Sequence, residues 1–160
     1  MLAADNELQI VRSGNVQWNS VTPLEGVNLW LRSAQRKLTA LTRLRADWDG
    51  YGSPPVQAGA IARVADLLAV LAKLDLPNPE LFPVPGGGLQ LEFRQGNREL
   101  EIEIRPDSSI EYLLVENGTD MREGEVRSEP DYFPGVLGEI HLLAFWLQGM
   151  TVTAYQLELA

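Results

Sequence analysis

Three successive segments with alternating apolar and polar residues decide the fold: LQLEF at Leu89–Phe93, LEIEI at Leu100–Ile104 and IEYLLV at Ile110–Val115. Alternation of this kind is typical of β-strands that bury one face of a sheet. The outward positions of these strands hold four acids: Glu92, Glu101, Glu103 and Glu111. The sequence therefore predicts an antiparallel meander with a band of carboxylates on its outer face.

The segments between these strands have the composition of turns. Gln95–Arg98 and Pro106–Ser109 connect the three strands, and Asn117-Gly118 is a strong hairpin signal. Glu123–Arg127 then predicts a short, charged edge strand. We interpret the proline- and glycine-rich Pro83–Gly88 as a flexible linker into the sheet.

Helical patterns flank the meander on both sides. Thr22, Pro23 and Glu25 form a capping signature before an amphipathic helix that extends to Leu44, and a second helix follows Ser53-Pro54-Pro55 and ends at Leu76–Pro79. A third helix spans Phe133–Leu147. The predicted fold class is α+β: a two-helix hairpin, a three- to four-stranded antiparallel meander and a closing C-terminal helix, with the helices on one sheet face.

The chain length and composition set the protein class. With 160 residues and no cysteine, one domain over 1–160 can bury roughly 70% of its unfolded surface without disulfides or thiolate metal sites. We expect residues 1–20 to form an arm or hairpin and 150–160 a tail. No secretory leader or membrane-spanning run is visible, so the expected location is cytoplasmic, without membrane association.

The charge distribution is uneven. The net charge of −9 opposes general binding to nucleic acid, which needs positive potential. Between Gly26 and Ala46, however, all ionic residues are basic: Arg32, Arg36, Lys37, Arg43 and Arg45. One functional hypothesis is therefore nucleic-acid contact through Arg32, Arg36 and Arg43. The basic helix and the acidic sheet face are also compatible with ordinary solvated surfaces.

Three short motifs are better explained by structure than by chemistry. Asp47-Trp48-Asp49-Gly50 resembles the start of a calcium loop, but Tyr51 and Ala58 stand where further oxygen ligands are needed. We expect both aspartates to accept backbone hydrogen bonds, with Trp48 and Tyr51 folded onto the core. Gly86-Gly87-Gly88 precedes a strand and has no nearby lysine, unlike a phosphate loop. His141 is the single histidine and lies in an apolar helix, where we expect it to be half-buried.

The outer face of the meander is the best candidate site. Its acids could raise one another's pKa or hold a divalent ion, although Arg94 and Arg105 lie on the same side. Leu113 and Val115 interrupt its polar pattern, which indicates that something covers them. The alternatives for that cover are the N-terminal arm with Leu8, Ile10 or Trp18, the tail with Tyr155 and Leu157, or another chain.

Several segments together resemble a group of small bacterial proteins described as hypothetical. They are WDGYG at Trp48–Gly52 with Pro54-Pro55, GGLQLEF at Gly87–Phe93, and LEIEI followed by Asp107. The resemblance extends from about Leu38 to Leu147 and implies a bacterial cytoplasmic protein with the element order α-α-β-β-β-α. That group has no assigned activity, so no functional residue is transferred.

The sequence favours a non-catalytic interaction protein with no cofactor. It would bind a protein partner through Glu92, Glu101, Glu103, Glu111, Leu113 and Val115, as an antitoxin, immunity protein or accessory subunit does. The alternative is a carboxylate-dependent metal-binding hydrolase that uses the same four glutamates. A homo-oligomer is compatible with either hypothesis.

Overall fold

A computed structural model describes residues 23–126 and 133–149. Its elements are α1 (Pro23–Leu41), α2 (Ala58–Leu71), β1 (Glu80–Val84), β2 (Gly88–Gln95), β3 (Arg98–Ile104), β4 (Ile110–Glu116), β5 (Thr119–Val126) and α3 (Phe133–Leu147). The five strands form one antiparallel sheet in the order β1-β2-β3-β4-β5. The α+β class with an antiparallel sheet is confirmed, and the predicted order of helices and strands is matched only roughly.

The predicted number of strands was too low. The stretch Glu80–Val84 pairs with β2, with Pro83 opposite Leu89, so part of the predicted linker is the edge strand β1. Proline is tolerated there because an edge strand has one side without ladder hydrogen bonds. Gly86 and Gly87 have φ angles of 93° and 96° and form a tight turn, in which the Gly87 N–H donates to the Val84 carbonyl at 3.1 Å.

The helices begin and end more tightly than the sequence predicted. The first ends at Leu41 and not at Leu44, because a turn follows immediately. The second begins at Ala58, three residues after Pro55, and ends at Leu71, before the prolines near residue 77. The third matches Phe133–Leu147, and Gly149 with a φ of 87° follows it. Thr22, the arm at 1–20, Arg127 and the tail at 150–160 lie outside the described residues.

One sheet face and the three helices share a single hydrophobic core. Alternate residues of β2, β3 and β4 point into it and are 5% exposed or less: Leu89, Leu91, Phe93, Leu100, Ile102, Ile104, Ile110, Tyr112 and Leu114. Trp30 of α1 stacks on Phe93 with ring centroids 6.2 Å apart. The predicted inward direction of the apolar residues is confirmed, and the helices therefore lie on one side of the sheet.

The sheet is joined to α3 through Arg98 at the start of β3. Its Nε donates to Glu116 at 2.7 Å, its Nη1 donates to the Trp146 carbonyl at 2.6 Å, and its guanidinium lies 4.9 Å from the centre of the Trp146 ring. A cation held by a carboxylate, a carbonyl and an aromatic face has a fixed orientation. Arg98 thus fixes α3 against the sheet.

The edge strand β5 is shaped by the ring of Tyr112. Gly124 lies opposite Tyr112 in the register, and a Cβ at Gly124 would come within 2.7 Å of the Tyr112 hydroxyl oxygen. Arg122 donates to that hydroxyl at 3.2 Å. Glycine at 124 is therefore required by the close approach of an aromatic ring to the backbone of β5.

Candidate functional site: the open face of the sheet

The side of the sheet opposite the helices, called the open face below, carries the predicted acids in adjacent rows. One row runs across the strands as Glu80, Glu92, Glu101, Leu113 and Glu123, and the next as Phe82, Gln90, Glu103, Glu111 and Glu125. Neighbours in a row lie about 5 Å apart across each pair of strands. The structure therefore brings Glu92, Glu101, Glu103 and Glu111 together on one face, as the alternation predicted.

Part of the open face forms a depression of about 550 Å³. Its lining contains five carboxylates and one amide: Glu101, Glu103, Glu111, Glu123, Glu125 and Gln90. Tyr112, Leu113 and Gly124 complete it. No lysine or arginine lines this depression, so its lining has strongly negative potential.

Cations are present at the margins of the open face. Arg94 bridges Glu92 at 3.1 Å and Glu99 at 2.9 Å, and Arg105 pairs with Glu111 at 2.6 Å. Arg94 and Glu99 are opposite each other on β2 and β3 and form a cross-strand pair, whereas Arg94 and Glu92 lie on the same strand. Because both arginines are largely exposed, they stabilise the sheet weakly. Within the described residues, four of the five lining carboxylates have no ion pair: Glu101, Glu103, Glu123 and Glu125.

Glu101 lies at the centre of this electrostatic field. Burial, followed by the negative charges of Glu92, Glu99 and Asp120, raises the pKa of the Glu101 carboxyl above its ordinary value. Gln90 Nε2 donates both to Glu101 at 3.1 Å and to Glu92 at 3.0 Å, which holds the two carboxylates in place. A positive charge placed on this row would relieve the repulsion.

The acids of the described open face do not form a cluster that could hold a metal ion. Among residues 23–126 and 133–149, no group of three or more histidine, aspartate or glutamate side chains has an arrangement that could hold a metal ion. The four glutamates of the hydrolase hypothesis share a face but are spread across the three strands β2, β3 and β4. Divalent cations need several oxygens converging at one point.

Apolar side chains lie among the carboxylates. Leu113 and Val115 of β4 are half-buried on the open face, and Phe82 of β1 is 42% exposed. No described element covers them. Apolar side chains in a charged surface are typical of binding sites, because they supply the hydrophobic part of an interface.

The sequence did not predict five acids of the open face: Glu80, Glu99, Asp120, Glu123 and Glu125. The alternation in Glu123–Val126 was available as a signal for the last two. Asp120 was beyond prediction, because a shift in register between Leu114 and Val115 skips Met121 and places Asp120 opposite Val115. The ion-pair partner Glu99 was detectable from its spacing to Glu101 and Glu103.

The Asp47–Gly52 loop behaves as a structural turn. Asp49 accepts hydrogen bonds from the Tyr51 N–H at 3.0 Å and from the Ser53 hydroxyl at 2.6 Å, and Asp47 accepts from the Gly52 N–H at 2.8 Å. The Ser53 hydroxyl, with the Tyr51 N–H, lowers the pKa of Asp49. Trp48 is half-buried, but Tyr51 is 94% exposed, so the prediction that Tyr51 folds onto the core was wrong. Its position at the tip of the turn carries it away from the core.

Two further expectations from the sequence concern His141 and the absence of a membrane-spanning helix. His141 is half-buried on α3, as expected. Within the described parts of the chain, no helix combines the length and the apolar character needed to cross a membrane.

Comparisons with protein-family models, with curated proteins and with solved structures found no match.

Proposed function

We propose that this protein is a non-catalytic interaction module that binds a basic surface of a partner protein through the open face of the sheet. The observation that carries the proposal is the depression lined by five carboxylates, with no cation in its lining. An antitoxin, an immunity protein or an accessory subunit would use such a face to occupy a cationic site on its partner. Opposite charge accelerates association and excludes wrong partners.

The apolar residues supply what charge alone does not. Leu113 lies between Glu101 and Glu123 in the register, so an arginine or lysine that reaches these acids lays its aliphatic stem on Leu113. Interfaces depend on such desolvated contacts for much of their affinity. The carboxylate-dependent hydrolase is not proposed further, since no group of acids on the described face converges on a metal position.

The test is affinity capture from a lysate of the organism that encodes the protein. The bait is the full chain, compared with Glu101→Lys/Glu123→Lys and with the matched variant Asp66→Lys/Asp75→Lys, whose exposed aspartates belong to the helical side. Both variants change the net charge equally. We expect one partner to be captured by the wild type and by the matched variant and lost with the open-face variant. Leu113→Asp should also lose it.

Capture that is equal for all four baits, or no specific capture by any of them, would rule out the open face as the binding surface. Circular dichroism and thermal melting of each bait provide the control that the fold is retained.

A further inference from the structure

A second charged surface lies on the outer side of α1. At 100° per residue, Arg32, Arg36 and Arg43 fall on the side of the helix opposite the buried Ala34. The helical turn continues to Arg43, because the Thr42 N–H donates to the Leu38 carbonyl and the Arg43 N–H to that of Ala40, each at 3.1 Å. We call these three residues the arginine stripe.

The arginine stripe has no internal partner among the described residues. All three side chains are exposed, and the ion pairs of the described chain involve other cations: Lys37, Arg94, Arg98 and Arg105. The chain has 22 acids and 13 basic residues, so carboxylates are not scarce. Within the described chain, the arginines of the stripe have no ion pair because the acids lie elsewhere on the surface.

The fold places the two charged surfaces back to back. The core side of α1 faces the sheet, as the contact between Trp30 and Phe93 shows, so the stripe lies on the outside of the helical layer. The carboxylates lie on the outside of the sheet. Because two packed layers separate them, the surfaces cannot neutralise one another within one molecule. They can do so between two molecules.

We propose that the occupant of the open face is a second copy of this chain, which inserts its arginine stripe into the carboxylate-lined depression. This inference rests on the proposed use of the open face for binding. The partner surface is then a helix with a row of arginines, and α1 of this protein is such a helix.

The spacings of the two surfaces match. Arg32 and Arg36 are four residues apart on a helix, which corresponds to a rise of about 6 Å. Glutamates at alternate positions of one strand, such as Glu101 and Glu103 or Glu123 and Glu125, are about 6.8 Å apart. A helix about 10–12 Å wide also fits across the roughly 14 Å between β2 and β5. Each arginine can therefore bind a carboxylate in the two-pronged geometry that guanidinium favours.

The geometry implies head-to-tail association. The arginine stripe of one copy binds the open face of the next, so the contact is heterologous. A pair therefore has one free stripe and one free open face, and each can bind a further copy. The net charge of −9 opposes close approach at long range, but salt screens that repulsion within about 8 Å at physiological ionic strength. We therefore expect reversible association that grows with protein concentration.

Sedimentation velocity over a concentration series tests the proposal. We expect the wild type to associate at about 0.1 M salt and to dissociate at about 1 M salt, where the Debye length is about 3 Å. Arg32→Glu/Arg36→Glu and Glu101→Lys/Glu123→Lys should each weaken association at least tenfold, or about 1.4 kcal/mol. Asp66→Lys/Asp75→Lys should associate like the wild type or more strongly, since it only reduces repulsion.

Charge exchange gives the sharper readout. An equimolar mixture of the two reversed variants should recover association, because each offers the surface that the other lacks. The variant that combines all four substitutions should also recover it, since both signs are exchanged. A general effect of net charge does not explain this pattern, because Glu101→Lys/Glu123→Lys makes the net charge less negative than −9 and would then associate more strongly than the wild type.

A wild type that stays monomeric across the series, or association that the reversals leave unchanged, would overturn the second-copy inference. If affinity capture still depends on Glu101 and Glu123 in that case, the proposed function survives with a foreign basic partner. Binding of a labelled single-stranded oligonucleotide by the monomer, lost with Arg32→Glu/Arg36→Glu, would likewise overturn the inference and assign the stripe to nucleic acid.

Discussion

The two faces of the sheet are built by alternate residues of the same strands, yet they differ in burial and in charge. On β3, Leu100, Ile102 and Ile104 are completely buried, whereas the intervening Glu101 and Glu103 are half-buried on the open face. The first set stabilises the fold through hydrophobic burial. The second set contributes repulsion, which a protein tolerates where the surface serves binding.

Placing an acid on the buried face, or an apolar residue on the open face, should give the largest difference in stability. We expect Ile102→Glu to abolish folding, because an unpaired buried carboxylate costs free energy comparable with the whole stability of a small domain, about 5–15 kcal/mol. The neighbouring Glu103→Ile should fold with a stability within about 1 kcal/mol of the wild type. Far-UV circular dichroism and urea denaturation measure both. A folded Ile102→Glu protein would contradict the assignment of the faces.

Removing side chains from each face should give an intermediate effect. Phe93→Ala deletes a buried ring that stacks on Trp30, and we expect a loss of about 3–5 kcal/mol in the free energy of unfolding. Leu113→Ala on the open face should lose only about 1 kcal/mol, since that side chain is half-exposed to begin with. Equal losses in urea titrations would show that the open face is covered within the molecule.

Removing one charge should give the smallest effect, with a size that depends on pH. Burial and neighbouring acids raise the pKa of Glu101 in the folded state, so the folded state binds a proton more readily than the unfolded chain. Ionised Glu101 therefore destabilises the fold at neutral pH, and this cost disappears as the pH falls below the ordinary glutamate pKa. We expect Glu101→Gln to stabilise the protein at pH 7 by a few tenths to about 1 kcal/mol.

Thermal melting at several pH values measures the Glu101→Gln effect. The advantage over the wild type should shrink to zero in acid. Asp66→Asn, which removes an exposed acid from α2, is the matched control. A Glu101→Gln protein that is less stable than the wild type at neutral pH would show that the ionised carboxylate of Glu101 makes favourable contacts that stabilise the fold.

Local patterns predicted the sheet well where each residue's direction followed from its neighbours. The period of two in β2, β3 and β4 assigns every side chain to a face, and Asn117-Gly118, with φ angles of 53° and 71°, forms the predicted turn. β1 was missed because a five-residue strand containing Pro83 has little propensity of its own. It exists because the edge of β2 offers partners for its backbone.

By itself, the sequence determined the class of the fold, the inward direction of the apolar residues, and the grouping of Glu92, Glu101, Glu103 and Glu111 on one surface, since alternation along a strand is a local property. Only the tertiary structure decided which acids become neighbours across strands, because register depends on pairing and on the irregularity beside Leu114. It also decided that the carboxylates and the arginine stripe lie on opposite sides, because the packing of α1 onto the sheet sets their relation.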